Sequence, residues 1–359
     1  MTATERSAAP VHDFRSDTVT LPTPAMMEAI AAARLGDAAR GDDPTVRALE
    51  ALARALTGKD DALLLPSGVM ANLAALLGHG CGGGEVIVEA SAHVYNAEGG
   101  GISALAGALV RPLRGERGLL APEAVAAAIV GSGDPLRAPT RLVCLENTHN
   151  AAGGIVVPLD NLAALRSVAG NAGVPLHLDG ARLFNAAAHL GVPIAALCRH
   201  ADSVWFSLCK GLGCPIGAVL AGDAAFMARA RRAARMLGGG MRQAGVIAAP
   251  ALVALEGDPM SSHRRDHALA QRLARQLAEV EGVQVEPAQV QTNIVNCFVA
   301  GPAGDAAGAA ERLRAHGVLV NGSGRKLRFV THAQVDEASV DAAVRAMAAI
   351  FAAPAEPLH

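Results

Sequence analysis

Between residues 60 and 222 the chain alternates short apolar runs with Ala/Leu-rich stretches at helical spacing, and this constrains the fold more than any other feature. The runs at 62–65, 85–89, 108–112, 141–145, 175–179, 202–207 and 216–221 read as strands. They are continuously apolar, not alternately polar, so both faces of each strand must be covered. That pattern predicts an α/β fold: a mainly parallel seven-stranded sheet with helices on both faces. Ahead of it, the segment 14–57 holds two helices, with Pro44 near the start of the second. After it, 223–256 reads as long helices broken at Leu237-Gly238-Gly239-Gly240. Helices at 260–280, 304–316 and 336–351, with strands at 283–285, 293–299 and 327–330, predict a smaller C-terminal α+β domain. The expected division is a loose tail over 1–13, a large domain over 14–255 and a small one over 256–359.

Composition narrows the partners. Net charge is −2 and only 3% of residues are aromatic, so no basic, aromatic-lined surface for nucleic acid is expected. No apolar run approaches the roughly 20 residues of a membrane span, and the N-terminus lacks an apolar signal core. Cys81, Cys144, Cys198, Cys209, Cys214 and Cys297 are widely spaced with no CxxC pair. They read as free thiols in a reducing cytoplasm, not as a disulfide framework or a metal site, and no metal is expected.

Two strand ends carry chemistry. Lysine occurs only at positions 59, 210 and 326, and Lys210 closes the apolar run ending in Ser207-Leu208-Cys209. Upstream, the run at 175–179 closes in Asp179-Gly180-Ala181-Arg182. Ligands of such sheets sit beyond the carboxyl ends of the strands. An acid and a lysine there suit pyridoxal 5'-phosphate (PLP): the lysine forms a Schiff base and the acid keeps the pyridine nitrogen protonated. The plainer alternative for Lys210 is a charge snorkelling to water. Pro66-Ser67-Gly68-Val69-Met70 follows the first strand and opens a helix, so it is either an anion seat for a phosphate or an ordinary turn capped by Ser67. Ser91-Ala92-His93-Val94-Tyr95 sets a histidine beyond the second strand, able to stack on a flat group and to transfer protons, or simply a core or surface histidine. Glu146-Asn147-Thr148-His149-Asn150 either lines the site or serves a turn. The Arg182 fork suits a ring oxygen or an ion pair with Asp179.

Several segments in order resemble one family: Phe14-Arg15-Ser16-Asp17-Thr18-Val19-Thr20, Gly41-Asp42-Asp43-Pro44-Thr45-Val46, Leu145-Glu146-Asn147-Thr148-His149-Asn150, His177-Leu178-Asp179-Gly180-Ala181-Arg182, Leu208-Cys209-Lys210-Gly211-Leu212-Gly213 and Gly238-Gly239-Gly240-Met241-Arg242-Gln243. From about residue 14 onward the chain is similar to the low-specificity L-threonine aldolases, PLP enzymes of the aspartate-aminotransferase fold (fold type I). The resemblance implies reversible cleavage of L-threonine, L-allo-threonine and related β-hydroxy-α-amino acids to glycine and an aldehyde. It implies that Lys210 carries the cofactor, Asp179 pairs with the ring nitrogen, His93 stacks on the ring and is a candidate base, and Arg182 contacts the ring oxygen. Ser67, Gly68, Val69 and Ser207 would complete the cofactor site. Arg242, with Arg235, would reach the phosphate of a neighbouring subunit in a homotetramer built from two dimers. Ser16 and Arg328 would grip the substrate carboxylate, with Arg182 and Tyr95 beside the substrate.

Two positions depart from the family pattern. Val69 stands where the phosphate loop usually has a hydroxyl, and 134–140 holds no histidine where members often place one to meet the β-hydroxyl. Two readings compete with the aldolase: another PLP activity on a small amino acid (β-elimination, racemisation or transamination), and a PLP-fold protein that has lost catalysis. The retained Lys210 and Asp179 argue against the second.

Overall fold

The computed structural model describes residues 11–299 and 305–352. The chain divides into two compact units, one over 20–264 and one combining the residues up to Val19 with those from Arg265 on. The expected tail over Met1–Pro10 lies outside the described residues.

All seven apolar runs form strands of a single sheet in the larger unit. Numbered along the chain, β1 (His12–Asp13) belongs to the smaller unit, and the seven are β2 (Asp61–Leu65), β3 (Glu85–Glu89), β4 (Leu109–Leu113), β5 (Thr140–Glu146), β6 (Leu176–Gly180), β7 (Ser203–Ser207) and β8 (Ala218–Gly222). Their spatial order is β2-β8-β7-β6-β5-β3-β4. Only β8 runs against its neighbours. The cause is the connection: the loop from β7 to β8 contains no helix, and a parallel return needs a crossover of a dozen or more residues. Every residue of β3, β6, β7 and β8 is buried, as the continuous apolar runs require.

The segments before the sheet are fixed by polar chemistry that their sequence announces. Asp43 caps the helix Pro44–Thr57, accepting from the backbone N–H groups of Thr45 and Val46, and Gly58 ends it in the left-handed conformation. The same buried carboxylate accepts from the N–H groups of Gly36 and Gly245, so one side chain ties three segments together. The expected break at 237–240 separates the helices Ala224–Met236 and Gly245–Leu255.

In the smaller unit, β9 (Val283–Gln284), β10 (Ile294–Val299), β12 (Asn321–Ser323) and β13 (Lys326–Val330) form an antiparallel sheet in the order β12-β13-β10-β9. A separate pair joins β1 to β11 (Val318–Leu319) in parallel. The strands β1, β11 and β12 span two or three residues, too few for any periodicity to show. His12 and Asp13 therefore take strand pairing where the sequence suggests a tail. Phe14 follows them into the core of this unit, with its ring edge-on to Phe329 at 5.7 Å, alongside Leu273, Leu277 and Met347. The division of the chain falls inside the helix Met260–Leu277, after Arg264, because Leu269, Leu273 and Leu277 pack into this second core.

Phe14→Ala should therefore lower stability by about 3–5 kcal/mol, the usual range for emptying a buried aromatic site. A denaturant midpoint equal to that of the wild type would contradict the anchoring role of the N-terminal segment.

Candidate active site

Glu146 at the end of β5, Asp179 next to the end of β6 and Trp205 in the middle of β7 lie side by side across three neighbouring strands, since Glu146 pairs with Asp179 and Asp179 with Trp205. From there a continuous set of hydrogen bonds spreads through the larger unit. Asp179 is 1% exposed, and its carboxylate accepts from Asn72 Nδ2 at 2.8 Å and from the Ala181 N–H at 3.1 Å. Asn72 Nδ2 also donates to Glu98 Oε1 at 2.7 Å, and its Oδ1 accepts from Trp205 Nε1 at 2.7 Å. Glu98 Oε1 lies 2.9 Å from His93 Nδ1. The His93 N–H donates to Glu146 Oε2 at 2.7 Å, the Asn150 N–H donates to the other oxygen of Glu146 at 2.8 Å, and Arg182 Nη1 donates to Asn150 Oδ1 at 3.0 Å. Lys210 Nζ stands 5.9 Å from the centroid of the Trp205 ring. Lys210, Asp179, His93 and Arg182, scattered along the sequence, thus converge on one cluster.

The electrostatics follow from that packing. Burial pushes the Asp179 carboxyl up to about 7, and the neighbouring Glu146 and Glu98 push in the same direction; the Asn72 hydrogen bond and Lys210 oppose them. Both oxygens nevertheless receive N–H donors, an arrangement made for the anion. A protonated pyridine nitrogen would be a further partner suited to this carboxylate, so the residues fit PLP. The His93 ring is raised above its ordinary value, first by its hydrogen bond to Glu98, against the cost of burial, and then by Asp179, Glu98 and Glu146 as charges.

Other expected residues fall as follows. Ser67 caps the helix Gly68–Gly78, accepting from the Met70 N–H, with Val69 exposed in its first turn. Gly68 has a packing reason of its own: a Cβ there would drive into the Trp205 indole. Ser207 ends β7 with its hydroxyl 3.6 Å from Cys209 Sγ, and Tyr95 is exposed on the short helix His93–Asn96. Arg235 and Arg242 are exposed on either side of the glycine break, with Arg242 paired to Asp37 at 3.0 Å. In the smaller unit, Arg328 Nη1 donates to the Arg15 carbonyl at 3.4 Å, next to Ser16. Within the run 146–150 the two possibilities separate. Glu146 and Asn150 belong to the cluster. The Asn147 amide exchanges hydrogen bonds with the backbone of Val157, and His149 is fully buried against Glu89 at 2.9 Å.

Asn72, Glu98 and Trp205 are the cluster members that the sequence did not single out. Asn72 left a usable signal, a lone amide inside the otherwise apolar helix 68–78. Glu98 left none, being one acid among Gly and Ala in a loop.

The description "Beta-eliminating lyase" fits residues 13–299. Low-specificity L-threonine aldolase 1 of Arabidopsis thaliana is 41% identical over 337 residues, covering 91% of this chain and 93% of the relative. The low specificity L-threonine aldolase of Escherichia coli K12 is 40% identical over 323 residues, covering 90% and 94%. The chain belongs to the low-specificity L-threonine aldolase family. Among solved structures, the threonine aldolase of Leishmania major superposes with a TM-score of 0.79 at 18% identity, covering 94% of this chain and 99% of that one, a likeness that speaks for the fold alone. Fold type I, with its mostly parallel seven-stranded sheet and smaller C-terminal sheet domain, is thereby established.

The pH dependence of stability should carry the signature of Asp179. Its folded value is raised above the ordinary 3.8 to about 7, so the folded apoprotein holds a proton that the unfolded chain releases. Stability from this group is lost as pH rises from about 4 to about 7. His79 and His177, depressed by burial to about 4 and about 3, act in the opposite direction, so the wild-type curve alone does not isolate it. The difference in unfolding free energy, Asp179→Ala minus wild type, should rise by up to about 4 kcal/mol across that window. A difference independent of pH would contradict the assignment.

Proposed function

We propose that this chain is a PLP-dependent aldehyde-lyase that cleaves the Cα–Cβ bond of L-threonine, L-allo-threonine and related β-hydroxy-α-amino acids, releasing glycine and an aldehyde, and that it also runs in reverse. The observation that carries the reading is the convergence of Lys210 and Asp179 at the ends of adjacent strands, joined through Trp205 and Asn72 to His93. When bound, PLP supplies the electron sink for the breaking bond, and the protein selects which bond breaks. Lys210 would hold its aldehyde, Asp179 its ring nitrogen and Arg182 its ring oxygen. The first turn of the helix at Gly68, with Ser67 and Ser207, would hold its phosphate. His93 takes the proton of the β-hydroxyl as the bond breaks. The substrate carboxylate is assigned to Ser16 and Arg328, and Tyr95 to the side-chain region. Val69 contributes no hydroxyl to the phosphate, so that contact rests on backbone N–H groups and serine.

Arg235 and Arg242, both exposed, are proposed to serve a neighbouring subunit in a tetramer of two dimers. Six cysteines, all free, suit a reducing cytoplasm. No helix among the described residues is long and apolar enough to cross a membrane.

A panel of L-threonine, L-allo-threonine and phenylserine tests the reading. Glycine and the matching aldehyde should form in equal amounts, and Lys210→Ala should abolish turnover. Asp179→Ala should lower turnover by roughly two to three orders of magnitude, the scale of losing a principal electrostatic partner. Pyruvate with ammonia, or the D-enantiomer, would favour another PLP reaction. No turnover of any panel member would contradict the proposal.

A further inference from the structure

The amide of Asn72 can be oriented without ambiguity. Trp205 Nε1 only donates, so the Asn72 atom 2.7 Å from it is the oxygen, and both N–H groups of Nδ2 point at Asp179 and Glu98. The same oxygen lies 3.2 Å from His177 Nε2, which must then carry the proton. His177 is buried and depressed to about 3, hence neutral, so its Nδ1 accepts from the Ser203 hydroxyl at 2.7 Å. Ser203 Oγ in turn accepts from His79 Nε2 at 2.7 Å. Every bond from His79 to Asn72 runs in one direction and ends on the two carboxylates. One of those carboxylates, Glu98, also meets His93. Its Oε1 accepts from Asn72, and the same atom lies 2.9 Å from His93 Nδ1. Glu98 is 8% exposed, and the His93 ring is raised first by this hydrogen bond, so the proton lies on the imidazole side of the contact. In the neutral ring the proton then sits on Nδ1, and Nε2 keeps its lone pair.

We propose that Glu98, held by Asn72, is a positioning residue that fixes His93 in the Nδ1–H tautomer and leaves Nε2 as the basic atom. This rests on the reading of His93 as the base. Glu98 touches no reacting atom in this scheme; it acts through the imidazole. Because Asn72 donates to Asp179 with its other N–H, one amide sets the geometry of the acid and of the base together. The charged groups facing the His93 ring are Glu98, Asp179 and Glu146. Of these, Glu98 alone makes a side-chain hydrogen bond to it.

Nitrogen-resolved NMR of the histidine rings, followed against pH in the apoprotein and with PLP added, tests this without requiring turnover. Wild-type His93 should show protonated Nδ1 in its neutral form and titrate above the ordinary 6.5. Glu98→Gln keeps an oxygen able to accept both hydrogen bonds, so the tautomer should persist. Its loss of charge should lower the titration by about one unit, a tenfold fall in proton affinity. Glu98→Ala should lose the tautomer preference as well. In the aldolase assay both variants should lower kcat with little change in KM, and the acidic limb of the Glu98→Gln profile should move by the NMR shift. If Glu98→Gln does not fold, Glu98→Asp, whose carboxylate stands one methylene further back, must lower the titration instead. A wild-type ring protonated on Nε2 when neutral, or titration unchanged in the folded variants, overturns the proposal. A wild-type protein with the expected His93 behaviour but no aldolase activity would instead defeat the functional reading and leave the role of Glu98 toward His93 standing.

Discussion

A carboxylate sealed from water at the end of β6 sets the terms for its surroundings. Asp179 sits between Glu146 and Trp205 in the register of the sheet, and every dielectric argument is against its charge. Yet the protein aims N–H groups from Asn72 and Ala181 at its two oxygens. Lys210 also favours the anion, yet burial and the two neighbouring acids outweigh it. A protonated ring nitrogen would complete the set, and in the proposed function Asp179 would hold that nitrogen protonated. In the proposed function, the energetic tension at Asp179 is what a cationic ring nitrogen would relieve.

The sheet makes this possible at little conformational expense. Parallel strands covered on both faces are rigid, and their carboxyl ends lie in a row at the spacing of neighbouring strands. Glu146, Asp179 and Trp205 need no loop to bring them together. The loops then add what the strands cannot: Lys210 from the turn between β7 and β8, and His93 and Glu98 from the region after β3. Trp205 links the two sets. Its indole N–H orients Asn72, its ring lies beneath the Lys210 amine at 5.9 Å, and its bulk explains the glycine at position 68.

Much of this was legible in the residues. Strands β3, β6, β7 and β8 could be read because burial on both faces leaves a run of apolar side chains in the sequence; β4 shows such a run although none of its residues is buried. Lys210 and Asp179 could be read because a charge is conspicuous at the end of such a run. The strand pair β1–β11 could not, since two-residue strands leave no period. The partners of the key acids were hidden for a different reason. Asn72 stands far along the chain from both Asp179 and Glu98, and only the tertiary fold makes them neighbours. The run Glu146-Asn147-Thr148-His149-Asn150 was ambiguous because the same residue types serve catalysis and turns. The structure divides them, with Glu146 and Asn150 supporting the cluster, Asn147 holding the backbone and His149 packed against Glu89.

With three lysines in the chain, the central claim comes down to which amine bears the cofactor. Lys59 is the serious competitor: burial lowers the pKa of its amine, which favours reaction with an aldehyde, although that amine donates to the Ala201 carbonyl at 2.5 Å. Reduction of the PLP-loaded protein with borohydride, followed by peptide mapping by mass spectrometry, should place the pyridoxyl group on Lys210 alone. A label on Lys59 or Lys326, or none at all, would contradict the account.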